Sequence, residues 1–176
     1  MRFFYIITAA LVSINVTNAT EIKVPKSFSA NFTQLITNPK GKKIKYRGKI
    51  YFNAPDNLKW IYKSPTKKEV CSQYGEVVVI DHDLEQASYY SIDKGFNLSK
   101  VLKRAKHHKN NLYVTNYKGK YYTIVLNKKG QVNQIAYKDN LDNKVNLMFT
   151  NLKYRNKPLP NSKFICARPA SYDSVH

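Results

Sequence analysis

Acidic residues, glycine and cysteine are all scarce in this 176-residue chain. Only 11 residues are Asp or Glu, against 30 Lys and Arg, so the formal net charge is +19. Six glycines exclude a Gly-rich low-complexity chain, and two cysteines are too few for a disulfide-rich scaffold. At 43% hydrophobic residues, the chain is too apolar for a disordered polycation. What remains is one basic globular domain, long enough to bury its own core.

Long apolar runs are also missing, except at the start of the chain. Met1 and Arg2 give a positive start, residues 3–16 are almost wholly apolar, and Thr17 and Ala19 are small residues suited to a cleavage site. The run is shorter than the ~20 residues that a membrane-spanning helix needs. We therefore predict that residues 1–19 are a cleaved signal peptide and that residues 20–176 form a single exported domain.

The two cysteines, Cys71 and Cys166, have two interpretations. An oxidising compartment would allow them to form a disulfide, which would close a long loop. Each also lies in an apolar, strand-like stretch, which suits two separate buried thiols equally well. The sequence leaves both interpretations open.

Short apolar strands separated by turn residues make up most of the chain. The alternation of apolar and basic residues is clearest in residues 44–52, and Leu58, Trp60 and Tyr62 share one face of the next strand. Helical interludes of the length that parallel crossovers require are missing between most of these strands. We therefore predict a mainly β protein with nine to eleven antiparallel strands.

Two segments show helical periodicity instead of alternation. Within residues 96–109, apolar side chains recur at helical spacing at Leu98, Val101, Leu102 and Ala105. A weaker helical pattern spans residues 26–35. Because an amphipathic helix has to bury its apolar side, we expect both helices to lie across one face of the sheet.

Residue combinations that would carry out catalysis are not evident in the sequence. Asp81-His82-Asp83 looks like an acid–base or metal cluster, but neighbouring strand residues point to opposite faces, and Asp favours turns. His107 and His108 have no third ligand at metal-binding spacing. A nucleophile elbow, a phosphate loop and a paired CxxC motif are all missing. We therefore predict no enzyme activity, no metal and no cofactor.

The excess of positive charge allows more than one interpretation. Lysines interleaved with tyrosines, as in residues 118–122, are typical of nucleic-acid-binding surfaces. The basic residues are nevertheless spread over nearly every strand and turn, as a lysine-rich proteome would also produce. In an exported protein, anionic lipid headgroups and acidic partner surfaces are the better targets for such charge.

Seven short motifs follow one another along the chain, at residues 28–34, 48–52, 55–62, 64–65, 74–75, 81–87 and 159–164. Their order resembles that of the LolA family of outer-membrane lipoprotein carrier proteins. The resemblance extends over nearly the whole mature chain and is strongest from Phe28 to Gln86, where the motifs keep their order and spacing.

The resemblance implies an incomplete, half-open antiparallel β-barrel, covered by a helical lid over an apolar cavity. It also implies that this cavity takes the acyl chains of lipoproteins released from the inner membrane by an ABC transporter, and that the carrier delivers them to an outer-membrane acceptor. We expect a periplasmic monomer that binds acylated lipoproteins and no nucleic acid. Two alternatives remain: a carrier of another amphiphile such as a glycolipid, and an exported polyanion- or nucleic-acid-binding module.

The candidate binding residues follow from the resemblance and from the strand patterns together. The predicted cavity residues are Tyr46, Ile50, Leu58, Trp60, Tyr62 and Tyr89. The predicted lid residues are Phe96, Leu98, Val101, Leu102 and Ala105. Ordinary core packing is the alternative interpretation of the aromatic and aliphatic side chains. Ala54 stands where the family usually has an arginine that holds the lid closed, so we expect closure to depend on apolar contact.

Overall fold

A computed structural model describes residues 22–91 and 97–175. None of the helices in these ranges is long and apolar enough to span a membrane. The predicted signal peptide lies outside the described residues.

The strands are β1 Ser27–Thr37, β2 Lys43–Asn53, β3 Asn57–Ser64, β4 Lys68–Gln73, β5 Glu76–Asp81, β6 Gln86–Ser91, β7 Lys106–Lys109, β8 Leu112–Tyr117, β9 Lys120–Leu126, β10 Val132–Lys138, β11 Lys144–Arg155 and β12 Asp173–Val175. The helices are α1 Leu98–Arg104 and a 3-10 turn, Asn161–Phe164.

All twelve strands belong to one open sheet, in the order β12-β6-β5-β4-β3-β2-β1-β11-β10-β9-β8-β7. The pairings are antiparallel except at one edge, where β12 runs parallel to β6. The two edge strands, β12 and β7, do not pair with each other, so the barrel is not closed. The predicted antiparallel, half-open fold is confirmed, but the described residues form twelve strands and not nine to eleven, and the short β12 is parallel to its neighbour.

The two faces of the sheet differ because apolar and polar residues alternate along its strands. In β2, the fully buried Ile50 and Phe52 alternate with the exposed Arg47 and Lys49. Successive strand residues point to opposite faces, so this alternation puts the apolar side chains on one side. We call the face that carries Ile50 the inner face and the face that carries Lys49 the outer face. Most of the main hydrophobic core lies on the inner face.

Both helix predictions need correction. The segment predicted as a helix over residues 26–35 is not helical, and all of it after Lys26 lies in β1, which pairs with β2 and with β11. The reason is that Phe28, Ala30 and Phe32 alternate with polar residues. The predicted helix over residues 96–109 ends at Arg104. Ala105 is extended, with ψ of 129°, and β7 then pairs with β8. Pairing at the sheet edge overrides the helical pattern in this second half.

The C-terminal segment, residues 156–175, crosses the outer face of the sheet. Asn53 fixes its start, because the side-chain amide donates to the Leu159 carbonyl over 2.9 Å and the side-chain oxygen accepts from the Leu159 N–H over 2.8 Å. Cys166 is joined to Cys71 of β4 by a disulfide, so the sequence alternative of two separate thiols is wrong. Phe164 is 1% exposed beside this bridge. The segment therefore covers part of the outer face permanently.

Candidate functional site

Aromatic rings from three neighbouring strands meet on the inner face. The ring of Phe32 in β1 contacts Trp60 and Tyr62 of β3 edge-to-face, with centroid distances of 5.0 and 5.1 Å. Tyr46 of β2 contacts Tyr62 in the same manner at 5.7 Å. Such edge-to-face pairs are stabilising beyond the apolar area that they bury. The rings form a continuous aromatic surface, which we call the aromatic cluster.

A glycine in β2 makes room for this cluster. A Cβ atom on Gly48 would lie 2.0 Å from the Ile61 carbonyl oxygen and 2.7 Å from Phe32 Cε1. Gly48 is paired with Phe32 on one side and with Tyr62 on the other. The missing side chain therefore lets the Phe32 ring lie against the backbone of β2.

The cluster is uncharged at ordinary pH. The Tyr62 hydroxyl donates a hydrogen bond to Gln34 Oε1 over 3.2 Å. Burial, followed by the proximity of Tyr137 and Tyr46, raises the pKa of Tyr62 well above its usual value. Burial likewise raises the pKa of Tyr137 to about 12. A neutral, mainly apolar surface suits hydrocarbon and offers no charged group for acid–base catalysis.

Exposure of the inner face increases from β1 towards β6. Phe32, Ile50 and Leu58 are buried, and Trp60 is half-buried. Farther along the sheet, the inner-face residues Val70, Val77 and Val79 are all half-buried. Tyr90 at the end of β6 is 54% exposed. The inner face is thus packed at its centre and accessible on the β4–β6 side.

Helix α1 covers the other side of the inner face. Asn97 caps it by accepting a hydrogen bond from the Lys100 N–H over 2.8 Å. Leu98, Val101 and Leu102 are almost completely buried and belong to the same core cluster as the inner face. The helix packs against β8, where the Arg104 guanidinium lies 5.6 Å from the centre of the Tyr117 ring. All these contacts are non-covalent.

The space between α1 and the sheet is filled by the protein's own side chains. Ile50, Phe52 and Val101 have no exposed surface. A hydrocarbon chain can therefore reach the centre of the inner face only if α1 or the side chains beneath it move. The described residues therefore show a packed core at the place where the resemblance implies an apolar cavity.

The structure brings together most of the predicted cavity residues. Five of them share the inner face, as the strand register shows: Tyr46, Ile50, Leu58, Trp60 and Tyr62. The prediction for Tyr89 is wrong, because Tyr89 pairs with Val78, which pairs with Cys71 on the outer face. The side on which Tyr89 lies depends on the register of β4, β5 and β6, which alternation within one strand does not give.

The predicted lid residues divide into three groups. Leu98, Val101 and Leu102 lie on the buried side of α1, and Ala105, just after the helix, is partly buried. Phe96 lies outside the described residues. Ala54 is exposed in the turn between β2 and β3, and its N–H donates to the Lys26 carbonyl.

The sequence analysis did not identify two aromatic rings that lie beside Trp60. Phe32 contacts Trp60 directly, and the Phe149 ring of β11 lies 6.5 Å from the Trp60 ring. The alternation in residues 28–34 and 145–149 is a sufficient signal that both rings share the core face. Their proximity to Trp60 depends on the pairing of β1 with β11, which is distant in sequence.

The Asp81-His82-Asp83 segment forms a turn, as the sequence indicates. Asp81 Oδ1 accepts from the N–H groups of Asp83 and Leu84, and its other oxygen lies 2.8 Å from Lys68 Nζ. Although partial burial opposes the change, the hydrogen bond and charge of Lys68 lower the pKa of Asp81. Within residues 22–91 and 97–175, His, Cys, Asp and Glu form no group able to hold a metal ion.

Comparisons with known proteins agree with this arrangement. The family model described as "Outer membrane lipoprotein carrier protein LolA" matches residues 24–166. An outer-membrane lipoprotein carrier protein of Campylobacter jejuni is 32% identical over 85% of this chain and 86% of the relative. One from Helicobacter hepaticus is 29% identical over 85% of this chain and 83% of the relative. An uncharacterized conserved protein from Thermus thermophilus has a similar fold, with a TM-score of 0.53, 11% identity, and coverage of 86% of this chain and 91% of that one.

Proposed function

Because the chain belongs to the LolA family of outer membrane lipoprotein carrier proteins, we propose that it binds the acyl chains of lipoproteins between helix α1 and the aromatic cluster. The observation that carries this proposal is the neutral, ring-lined inner face, whose hydrophobic core also contains the buried side of a seven-residue helix held only by non-covalent contacts. The protein is a lipoprotein carrier by family. The assignment of acyl-chain binding to the aromatic cluster and α1 is part of the proposal.

The physical task is to move acyl chains through water. Burial of each CH₂ group contributes about 0.8 kcal/mol, and one myristoyl chain binds a bilayer with an association constant of only about 10⁴ M⁻¹. Two or three chains therefore leave a membrane only when external work is done. A carrier must shield them and still release them. A small helix that is exchanged for cargo satisfies both demands, because the acyl chains cover the apolar surface that the helix exposes when it moves aside.

The β4–β6 side of the inner face is the entry side in this proposal. Val79 and Tyr90 are already accessible there, so an acyl chain can make apolar contact before α1 moves. Displacement of Val101 then opens the buried centre. No bond is made or broken, so the carrier acts without a catalytic residue.

The proposed setting is the periplasm. Residues 1–19 would direct export and be removed, and residues 20–176 would act as a single carrier domain and as a monomer. An inner-membrane ABC transporter would supply the acylated lipoprotein, and an outer-membrane acceptor would receive it. The family assignment does not favour a glycolipid carrier or a polyanion-binding module as the primary function.

The experiment uses lipoprotein-loaded spheroplasts and the mature protein. Lipoprotein should appear in the soluble fraction in a complex with the carrier, and a lipoprotein that lacks its acylated N-terminus should not bind. Trp60, the single tryptophan, reports on the same event because it lies half-buried in the cluster. Acylated lipoprotein should shift its emission. Release without a change at Trp60 would contradict the binding site, and no release at all would contradict the function.

A further inference from the structure

A groove on the outer face is built from basic residues and has no place in acyl-chain binding. It has a volume of about 720 Å³ and lies between β11 and the C-terminal segment, over β1 and β2. Its basic residues are Lys49, Lys153, Arg155 and Lys163. None of the residues that line it is acidic. The groove therefore concentrates positive charge on the side of the sheet opposite to the aromatic cluster.

The groove is held in shape by contacts that are independent of any ligand. Arg155 Nη1 donates to Ser29 Oγ over 3.2 Å and to the Lys153 carbonyl over 3.1 Å, so the guanidinium is fixed above β1. The C-terminal wall is fixed by Asn53 and by Ser27, whose hydroxyl donates to the Lys157 carbonyl over 2.7 Å. A preformed site loses little free energy to ordering when it binds.

The positive charge of the groove is not neutralised within the described part of the chain. The strands β1, β2 and β11 contain no Asp or Glu. The ion pairs of the described residues engage Lys59, Lys68, His82 and Lys138, and none involves a basic residue of the groove. The acidic partners lie on β4, β5 and the turn after β10. These unpaired cations are available to an external anion.

A row of cations continues from the groove along β2. Lys43, Lys45 and Arg47 are exposed and share the outer face with Lys49, because alternate strand residues point the same way. Successive cations in this row are two residues apart, which corresponds to about 7 Å along the strand. We call the groove and this row together the basic face. It is a broad surface of cations on one face of the sheet.

We propose that the basic face docks the protein on membranes rich in anionic phospholipid, with one phosphate-bearing headgroup held in the groove and its neighbours held by the row on β2. The groove has the size of a small-molecule site and two walls, which suits a single headgroup better than the continuous backbone of a nucleic acid. Clusters of four to eight Lys and Arg are sufficient to recognise anionic membranes. Docking by this face leaves the inner face directed away from the lipid surface.

The docking proposal does not rest on lipoprotein transport. Vesicles that contain no lipoprotein are the probe, so failure of docking and failure of lipoprotein release are separate results. Sedimentation with phosphatidylglycerol–phosphatidylcholine vesicles should carry the mature protein down at low salt, and less of it as salt increases, because the attraction is screened. Pure phosphatidylcholine vesicles should leave it in solution.

Two variants that each lose three positive charges distinguish binding by the basic face from binding by the total charge of the protein. Lys49→Gln/Lys153→Gln/Arg155→Gln should bind anionic vesicles about a hundredfold more weakly, because each surface Lys or Arg contributes about fivefold. Lys106→Gln/Lys109→Gln/Lys128→Gln alters exposed lysines outside the basic face and should lose much less. If the first variant unfolds, Lys43→Gln/Lys45→Gln/Arg47→Gln replaces it, since those side chains are exposed.

The native tryptophan identifies which face meets the lipid. Trp60 lies on the inner face, so vesicles that contain brominated lipid should not quench its emission when the protein docks by the outer face. Strong quenching would overturn the proposal. Equal losses by the two charge variants would also overturn it, as would equal binding to neutral vesicles. Tighter binding to a DNA duplex than to anionic vesicles, abolished by the same variant, would overturn it in favour of a nucleic-acid ligand.

Discussion

The two halves of the sheet are covered on opposite faces. Across β3–β6, the C-terminal segment covers the outer face and is tied to β4 through Cys71, while the inner face remains partly accessible. At the other end of the sheet, α1 packs on the inner face against β8, and the outer face is uncovered, so that Val114 of β8 and Met148 of β11 are 38% and 43% exposed. One sheet thus has two covers of different kinds.

The difference between the covers lies in how they are attached. The C-terminal segment is covalently bonded and adds a twelfth strand beside β6, so its removal is costly. Helix α1 is seven residues long and is held by Leu98, Val101 and Leu102 together with one cation–π contact at Arg104. We infer that the fixed cover stabilises the fold, whereas the reversible cover governs access to the aromatic cluster.

Loss of the disulfide should have the largest effect on stability. In the chain-entropy model, a bridge with a sequence separation of 95 residues contributes about 4.7 kcal/mol. Cys71→Ser/Cys166→Ser should lower the free energy of unfolding by about that amount in denaturant titration, while dye and lipoprotein binding persist at low temperature. Reduction of the unaltered protein is the control and should reproduce the loss. Abolished binding in a still-folded variant would give the fixed cover a direct role in cargo binding.

The centre of the inner face should be the next most sensitive position. In Gly48→Ala the new methyl group would collide with the Ile61 backbone, not only with a side chain. We expect a loss of about 3 kcal/mol, at the upper end for overpacking. Gly75→Ala is the control without a steric contact, because a Cβ there would meet no atom within 4 Å; its φ of +85° strains an alanine by about 1–2 kcal/mol, which is smaller than the loss expected at Gly48. A smaller loss at Gly48 than at Gly75 would show that β2 and β3 separate readily.

A charge under the reversible cover should affect binding more than stability. Val101→Asp buries a carboxylate if α1 stays closed, at a cost of several kcal/mol. If α1 opens instead, the free energy of unfolding should fall by no more than about 1 kcal/mol, while displacement of a hydrophobic dye by acylated lipoprotein is lost. Lys100→Asp on the exposed side of the same helix is the control. A strongly destabilised Val101→Asp variant, or a stable one that transfers normally, would contradict the lid assignment.

The smallest predicted effect is on the free energy of unfolding at acidic pH. The pKa of Asp81 is lower in the folded protein than in the unfolded chain, so its contribution to stability is present above the unfolded value and lost as pH falls through the folded one. The expected window is pH 4 and below. Asp81→Asn should flatten the pH dependence of unfolding there by less than about 1 kcal/mol, as for other surface ion pairs. Lys68→Met should act in the same direction but less strongly, because the N–H groups of Asp83 and Leu84 still donate to the carboxylate. An unchanged acid limb in Asp81→Asn would exclude Asp81 as its source.

The site was partly predictable because alternation along a strand is a local property. Leu58, Trp60 and Tyr62 follow from period 2 within one strand, and Leu98, Val101 and Leu102 from helical spacing within two turns. Tyr89 was assigned to the wrong face, because its side depends on the register of β4, β5 and β6. The helix predicted over residues 96–109 was too long, because pairing of β7 with β8 is a tertiary interaction.

The sequence by itself determined that the chain is a basic, antiparallel β protein with one amphipathic helix, because those properties depend on composition and on periods of 2 and 3.6 residues. Only the tertiary structure decided which faces are covered. The bond between Cys71 and Cys166, the contact of Phe32 with Trp60 and the joining of Lys49 to Arg155 in one groove each link residues distant in the chain. Such contacts depend on strand order and register, which are properties of the assembled sheet and not of any one segment.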